Sequence, residues 1–190
     1  MATLLANVDL SDWSVGDLQT TKRGQKAAPI FFQSGLPPQV CLTTPTEPMN
    51  APFGASAYQD PDAIRLTMEL VASPGQIAQL QAIDAWALEA GKSIGCKGEF
   101  KGLLSEDKNG GHRVRVKVNT TGNLISRLWD NEKTQIPWTR ELGNELRHAK
   151  LRPIVCLSKI WSSGVMFGIT AELRQAVCEL QSASHCPEFL

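Results

Sequence analysis

The sequence predicts a mainly β fold (α+β) with one well-capped helix and extended loops, and three observations predict it. Ile64 to Leu70 and His112 to Val118 alternate apolar and polar residues without interruption, the period of a half-buried strand. One stretch combines helical spacing with a start signal: Ser73 can cap it, Pro74 fits the first helical position, and Gln76 completes a capping box. Thr44 to Gly54 (TPTEPMNAPFG) is rich in proline and reads as an extended loop.

The chain divides into an N-terminal arm over residues 1–27, one domain over 28–180 and a polar tail over 181–190. At 190 residues it is long enough to bury a core without disulfides. The arm shows little hydrophobic period and reads as an arm or weak strands. Its Lys22, Arg23 and Lys26 are too sparse for a localisation signal. Pro29 to Phe32 and Gln39 to Thr43 are strand candidates on either side of Pro37-Pro38, and Phe53 is expected to pack on the body. In the helix, Ile77, Leu80, Ile83 and Ala87 form the apolar face with Trp86 alongside, and Gly91 marks the stop. Beyond it, Glu106 to Gly111 (EDKNGG) is a turn and Leu124 to Trp129 a short strand. Asp130 to Leu146 reads as a loop or broken helix, and Glu172 to Leu180 closes the fold as a strand or short helix.

Between them, Lys150 to Ile169 (KLRPIVCLSKIWSSGVMFGI) reads as a β-hairpin. Pro153 permits the strand start and Ser163-Gly164 supplies a two-residue turn. With that turn, Trp161 faces Met166 and Ile160 faces Phe167. Ile154, Cys156, Ile160, Phe167 and Ile169 then share the core face, and Lys159, Trp161, Met166 and Gly168 share the other.

Net charge is zero, but its distribution is uneven. Lys92 to Lys159 holds 14 Lys and Arg against 7 Asp and Glu, while the remainder holds 5 against 12. Such a middle suits a polyanion, or is a solvated surface whose charges cluster. Arg113, Arg115 and Lys117 lie on one side of their strand, about 7 Å apart, and form a positive stripe. The alternative reading is an edge guarded against aggregation.

The enzyme templates fail: GxGxxG, GxxxxGK[ST], GxSxG and HExxH are all absent. His112, His148 and His185 are scattered, and Cys178, His185 and Cys186 in one short tail make a poor zinc site. Asp60 and Asp62 flank Pro61 as turn residues. Five cysteines without a CxxC pair point to a reduced, intracellular protein. The start MATLLANVDLSDW lacks the cationic opening of a signal peptide, and no window approaches the roughly 18 apolar residues of a membrane span. We therefore expect a soluble non-enzyme with no catalytic residue, metal or cofactor.

Strands, a basic stripe and interleaved aromatics are the parts of a single-stranded nucleic-acid binder, in which cations track phosphates and rings stack bases. The candidates for phosphate are Arg113, Arg115, Lys117, Lys159 and Lys101, and those for stacking are Trp161, Phe100, Trp129 and Trp138. Taken singly each aromatic fits a core position better, except Trp161, whose neighbours on its face are polar. Two other readings stand beside this one. The hairpin face would be a protein interface in a structural or adaptor subunit of a larger assembly, or an enzyme site would assemble from distant residues.

The order of these elements has a resemblance. Val40 to Gly54 (VCLTTPTEPMNAPFG), the strand Ile64 to Leu70, the helix, the basic strand Arg113 to Val118 and Pro153-Ile154-Val155…Ile160-Trp161…Gly164…Phe167-Gly168-Ile169 together resemble a known family. It is the phage-T7-like single-stranded-DNA-binding proteins of large nucleocytoplasmic DNA viruses and some algal or protist relatives. The resemblance covers roughly Pro29 to Glu179. It implies an OB-like antiparallel β-barrel of five strands with a helix between the third and fourth. The groove would cross the face that holds the basic strand and Trp161. The implied partner is single-stranded nucleic acid, with replication and transcription proteins besides; the hairpin and the arm by themselves would support a homodimer, and the hydropathy leads us to expect no membrane partner. The implied place is intracellular, in the nucleus or at a viral replication site. Phage members end in an acidic tail with a terminal aromatic; this tail has one acid, Glu188, and Phe189 is penultimate, so tail-mediated autoinhibition is not carried over.

Overall fold

The structure, a computed structural model, describes residues 2–21, 24–33, 35–43, 47–56, 65–139 and 141–179. Lys22, Arg23, Asp60, Asp62, Ile64 and the tail from Leu180 lie outside them. Among the described residues no helix is long and apolar enough to cross a membrane.

The N-terminal arm lies on the body. Its strands β1 (Thr3–Leu4), β2 (Ser14–Val15) and β3 (Gln19–Thr20) are two residues each, and Leu5 and Trp13 are buried in the core. Trp13 meets Trp86 edge-on, with ring centroids 5.3 Å apart, a favoured aromatic geometry. Strands β4 (Lys26–Phe31), β5 (Gln39–Cys41), β6 (Met49–Ala51), β7 (Ala55–Ser56) and β8 (Arg65–Val71) follow. Phe53, between β6 and β7, is 44% exposed, with the Arg113 guanidinium 4.9 Å above its ring.

Helix α1 (Pro74–Ser93) starts where its residues predict, with the Gln76 half of the capping box formed and the Ser73 hydroxyl without a partner among the described residues. Gln76 Oε1 accepts from the Ser73 N–H at 2.8 Å, and its Nε2 donates to the Leu42 carbonyl at 2.8 Å. The cap thus also ties the helix to the chain after β5. The expected stop at Gly91 is corrected: the helix runs two residues further. Gly91 is instead a packing position, because a Cβ there would lie 2.5 Å from Cε2 of the buried Phe167 ring.

The second half contains β9 (Glu99–Lys101), β10 (Leu104–Glu106), β11 (His112–Asn119), β12 (Arg127–Trp129), β13 (Gln135–Ile136), the short α2 (Leu142–Glu145), β14 (Ala149–Ser162) and β15 (Met166–Glu179). On β11 the alternation is realised, with Val114, Val116 and Val118 buried and the cations on the other side. Asp130 to Leu146 holds both a strand and a helical turn.

The β14–β15 hairpin is the spine of the sheet, and it is longer than its residues suggested. The segment from Glu172 is the same strand as Met166 to Ile169, not a separate element. Pro153 lies inside β14 rather than at its start, opposite Ala176. It sits where the neighbour on the other side changes from β6, paired at Leu151, to β5, paired from Ile154, so its missing N–H is tolerated.

The turn and faces also differ from expectation. The turn lies one residue later than expected: Ser163 N–H donates to the Met166 carbonyl at 2.9 Å, so Gly164-Val165 rather than Ser163-Gly164 form the two-residue loop. Trp161 therefore lies opposite Gly168 instead of Met166, and Ile160 opposite Ile169 instead of Phe167. A shift of two keeps each residue near the turn on its expected face. Irregularities between Leu157 and Lys159 and between Ile154 and Val155 then change the parity. As a result Val155, Leu157 and Ile160 join the main core cluster, while Ile154 is half-buried and Cys156, though buried, packs outside that cluster beside Arg174, which corrects the shared face expected for them.

All strands join one hydrogen-bonded network. Its main path runs β1-β5-β14-β15-β11-β8-β7; β9 and β12 also pair with β15, β4 and β6 with β14, and β10 with β11. Helix α1 lies between β8 and β9 and packs across β15. Among the described residues the path does not close on itself: the fold is strand-rich with one main helix, and its sheet is open rather than a complete barrel.

Candidate nucleic-acid interface

One groove of about 610 Å³ brings together residues from five strands and the loop after β9. Strand β15 forms its floor. Pairing of β9 with β15 sets Phe100 beside Phe167 and Lys101 beside Gly168. The alternation of β11 points Arg115 and Lys117 into it, and β14 supplies Trp161.

Trp161 and Gly168 explain one another. A Cβ on Gly168 would lie 2.3 Å from the Lys101 carbonyl and 3.1 Å from Trp161 Cζ2. Bare backbone there lets both β9 and the edge of the Trp161 indole approach β15 closely. Trp161 is half-buried and does not belong to the core cluster. Phe100 is also half-buried; its ring sits 5.3 Å from that of Phe167, which rests on Gly91, so helix α1 props this wall through two aromatics.

The wall opposite is held by a residue that sequence reading missed. Asp84 on α1 accepts from the Leu103 N–H at 2.7 Å and the Leu104 N–H at 3.1 Å, fixing the loop that lines the groove. Burial raises its carboxyl pKa, and the two N–H groups act the other way. The signal was present: Asp84 stands four residues after Leu80 and three before Ala87, on the apolar stripe of the helix.

The cations divide into two groups. Arg113 pairs with Asp107 at 2.7 Å and with Glu69 at 3.4 Å, besides covering Phe53, so it braces β8, β11 and the turn after β10. Asp107 has its carboxyl pKa lowered by the N–H groups of Asn109 and Gly111, with Arg113 adding to them. Arg115 pairs with Glu69 at 3.0 Å yet is exposed in the groove. Lys101 pairs with Glu99 at 2.5 Å at the rim. Lys117 has its pKa lowered, first by desolvation and then by Lys159 and Arg65, with Glu172 acting the other way. Two like charges thus crowd one part of the groove, which favours an incoming anion.

The structure therefore gathers Phe100, Lys101, Arg115, Lys117 and Trp161 in one groove, with Lys159 beside it. It places Arg113 outside, in its ion pairs. Trp138 packs against the core and donates its indole N–H to the Ser126 carbonyl. Trp129 pairs with Val177 near the far end of β15, roughly 30 Å from Gly168 by strand rise. Among the described residues no three His, Cys, Asp or Glu side chains could hold a metal ion together.

An open strand-rich sheet with one main helix has counterparts among solved structures. No protein-family model matches the chain, and no curated protein matches it in sequence. The single-stranded-DNA-binding protein of bacteriophage Enc34 is similar in two structures. The one in complex with ssDNA gives 10% identity over 88% of this chain and 96% of that one, with a TM-score of 0.52. The C-terminally truncated form gives 10% identity, 89% and 96% coverage, and again 0.52. The single-stranded-DNA-binding protein gp2.5 of bacteriophage T7 matches 73% of this chain and 86% of its own at 15% identity, but at a TM-score of 0.43 it carries no argument. The chain thus has the fold of phage single-stranded-DNA-binding proteins.

Proposed function

We propose that the protein is a non-enzymatic binder of single-stranded nucleic acid, and of ssDNA in particular, with little sequence specificity. It would protect or organise strands in replication, repair or transcription. One observation carries the reading: Trp161 lies half-buried over a bare stretch of β15, in a groove whose other wall presents Arg115 and Lys117. A ring in that setting stacks any base, and the cations meet the phosphates beside it. The fold shared with the Enc34 protein supports the same reading. We propose further that the open sheet is a relaxed OB-like frame. Membership of the branch found in large nucleocytoplasmic DNA viruses, with action in the nucleus or at a viral replication site, rests on the sequence motifs quoted above.

Titration of a fluorescently labelled oligonucleotide of about 30 bases tests this by anisotropy. With Lys101, Arg115, Lys117 and Lys159 each meeting a phosphate, the log–log salt slope is about −3, a loss of roughly 50-fold between about 50 and 200 mM salt. Arg115→Ala/Lys117→Ala makes that slope shallower by about 1.4. Absence of binding at low salt would sink the proposal, and the hairpin face would then be tested as a protein interface.

A further inference from the structure

Thr170 is 3% exposed, lines the groove floor, and its hydroxyl has no hydrogen-bond partner among the described residues. Buried hydroxyls are nearly always paired, so an orphan at a groove needs a reason. Thr170 lies directly across the ladder from Lys159 and shares the groove with Lys117. Neither lysine is in an ion pair among the described residues. Ser158, the residue left over at the irregularity beside Lys159, also keeps a buried hydroxyl without a partner. Two ammonium groups and an unused O–H share one face of the groove, and the acidic group beside them, Glu172 in register with Lys117, is within ion-pair distance of neither lysine.

We infer that Lys117, Lys159 and the Thr170 hydroxyl form a subsite for one phosphate group on the groove floor. The hydroxyl donates to a phosphate oxygen while the ammonium groups flank its charge, a charge-assisted arrangement stronger than a neutral pair. The hydroxyl lies beneath the groove surface, so it must turn outward about χ1 to meet the phosphate, which then seats against β15 with its neighbouring base toward Trp161. The lowered Lys117 pKa, set first by desolvation and then by Lys159, agrees with this: a bound anion offsets both, while Glu172 on β15 is the acidic group it competes with. The subsite deepens the strand-binding proposal, because the same chemistry serves a phosphodiester or free phosphate.

Thr170→Val and Thr170→Ser test it, with thermal stability, oligothymidylate of about 30 bases and inorganic phosphate as three readouts. Removing an orphan hydroxyl leaves the Tm of Thr170→Val unchanged or raised, while oligonucleotide affinity falls about 10-fold and Thr170→Ser restores it. Phosphate shifts the side-chain NMR signals of Lys117 and Lys159 in the wild type and much less in Thr170→Val. Phosphate shifts of that kind without oligonucleotide binding keep the subsite and refute the strand reading. Equal oligonucleotide affinity of wild type and Thr170→Val overturns the subsite and leaves the strand reading standing. No response to either ligand overturns both.

Discussion

Replacing Trp161 with alanine weakens binding of a single-stranded oligonucleotide of about 30 bases by roughly 10- to 100-fold, the worth of one lost base stack of about 1–3 kcal/mol. The effect falls on binding because the ring lies outside the core cluster, over the backbone of Gly168. Thermal denaturation therefore shows a Tm within a few degrees of wild type. Trp161→Phe keeps a π-face and recovers most of the affinity. Trp138→Ala behaves oppositely: its indole packs on the core and donates to the Ser126 carbonyl, so stability falls before binding does. Wild-type affinity in Trp161→Ala would remove the stacking platform from the account.

Asp84→Ala has the largest expected effect on the fold. It leaves the N–H groups of Leu103 and Leu104 without their acceptor. Two such losses, offset in part by the desolvation that the carboxylate no longer bears, cost on the order of 2–4 kcal/mol, or roughly 5–15 °C in Tm for a domain of this size. Oligonucleotide affinity falls with it, since the freed loop is a wall of the groove. The pH dependence has a definite sign. Burial raises the Asp84 pKa above the usual carboxylate value. Ionising it therefore costs folding free energy, and wild type loses stability relative to the non-titrating Asp84→Asn as pH rises through the raised value. Thermal melts of the three proteins across mildly acid pH check both points; an unchanged Tm in Asp84→Ala would contradict the strut.

What the sequence made legible was local. The alternation of β11, the capped start of α1 and the existence of the hairpin all follow from residues within a few positions of each other. Its faces near the turn were also readable, because a register shift of two residues preserves them. The irregularity at Ser158 was not, since no residue type there demands an extra position, and it moved Ile154 and Cys156 off the face they were expected to share with Ile160, although Cys156 is buried all the same. Pro153 misled for a related reason. A proline inside a long strand is tolerated only where neighbouring strands change over, and that change is set by β5 and β6 far away in the chain.

The candidate site shows the same limit. Arg113, Arg115 and Lys117 look equivalent along β11, yet Glu69 and Asp107 tie Arg113 into a brace, and Glu69 lies 44 residues from it. Trp161, Trp129 and Trp138 are equally aromatic in sequence. They separate only when β12 is seen to pair at the far end of β15 and Trp138 to pack on the core. Thr170 carried no sequence signal at all, because its interest lies in a partner it lacks.

The central claim is that one groove, floored by β15, receives the strand. Titrating the ¹⁵N-labelled protein with a short oligothymidylate and following amide and indole signals locates the contact most directly. The largest changes are expected on Phe100, Lys101, Arg115, Lys117, Trp161 and Thr170, with Trp129 and Trp138 little affected. Changes centred instead on Trp129, or on the cleft between Trp13 and Leu36 at the N-terminal end, would contradict it.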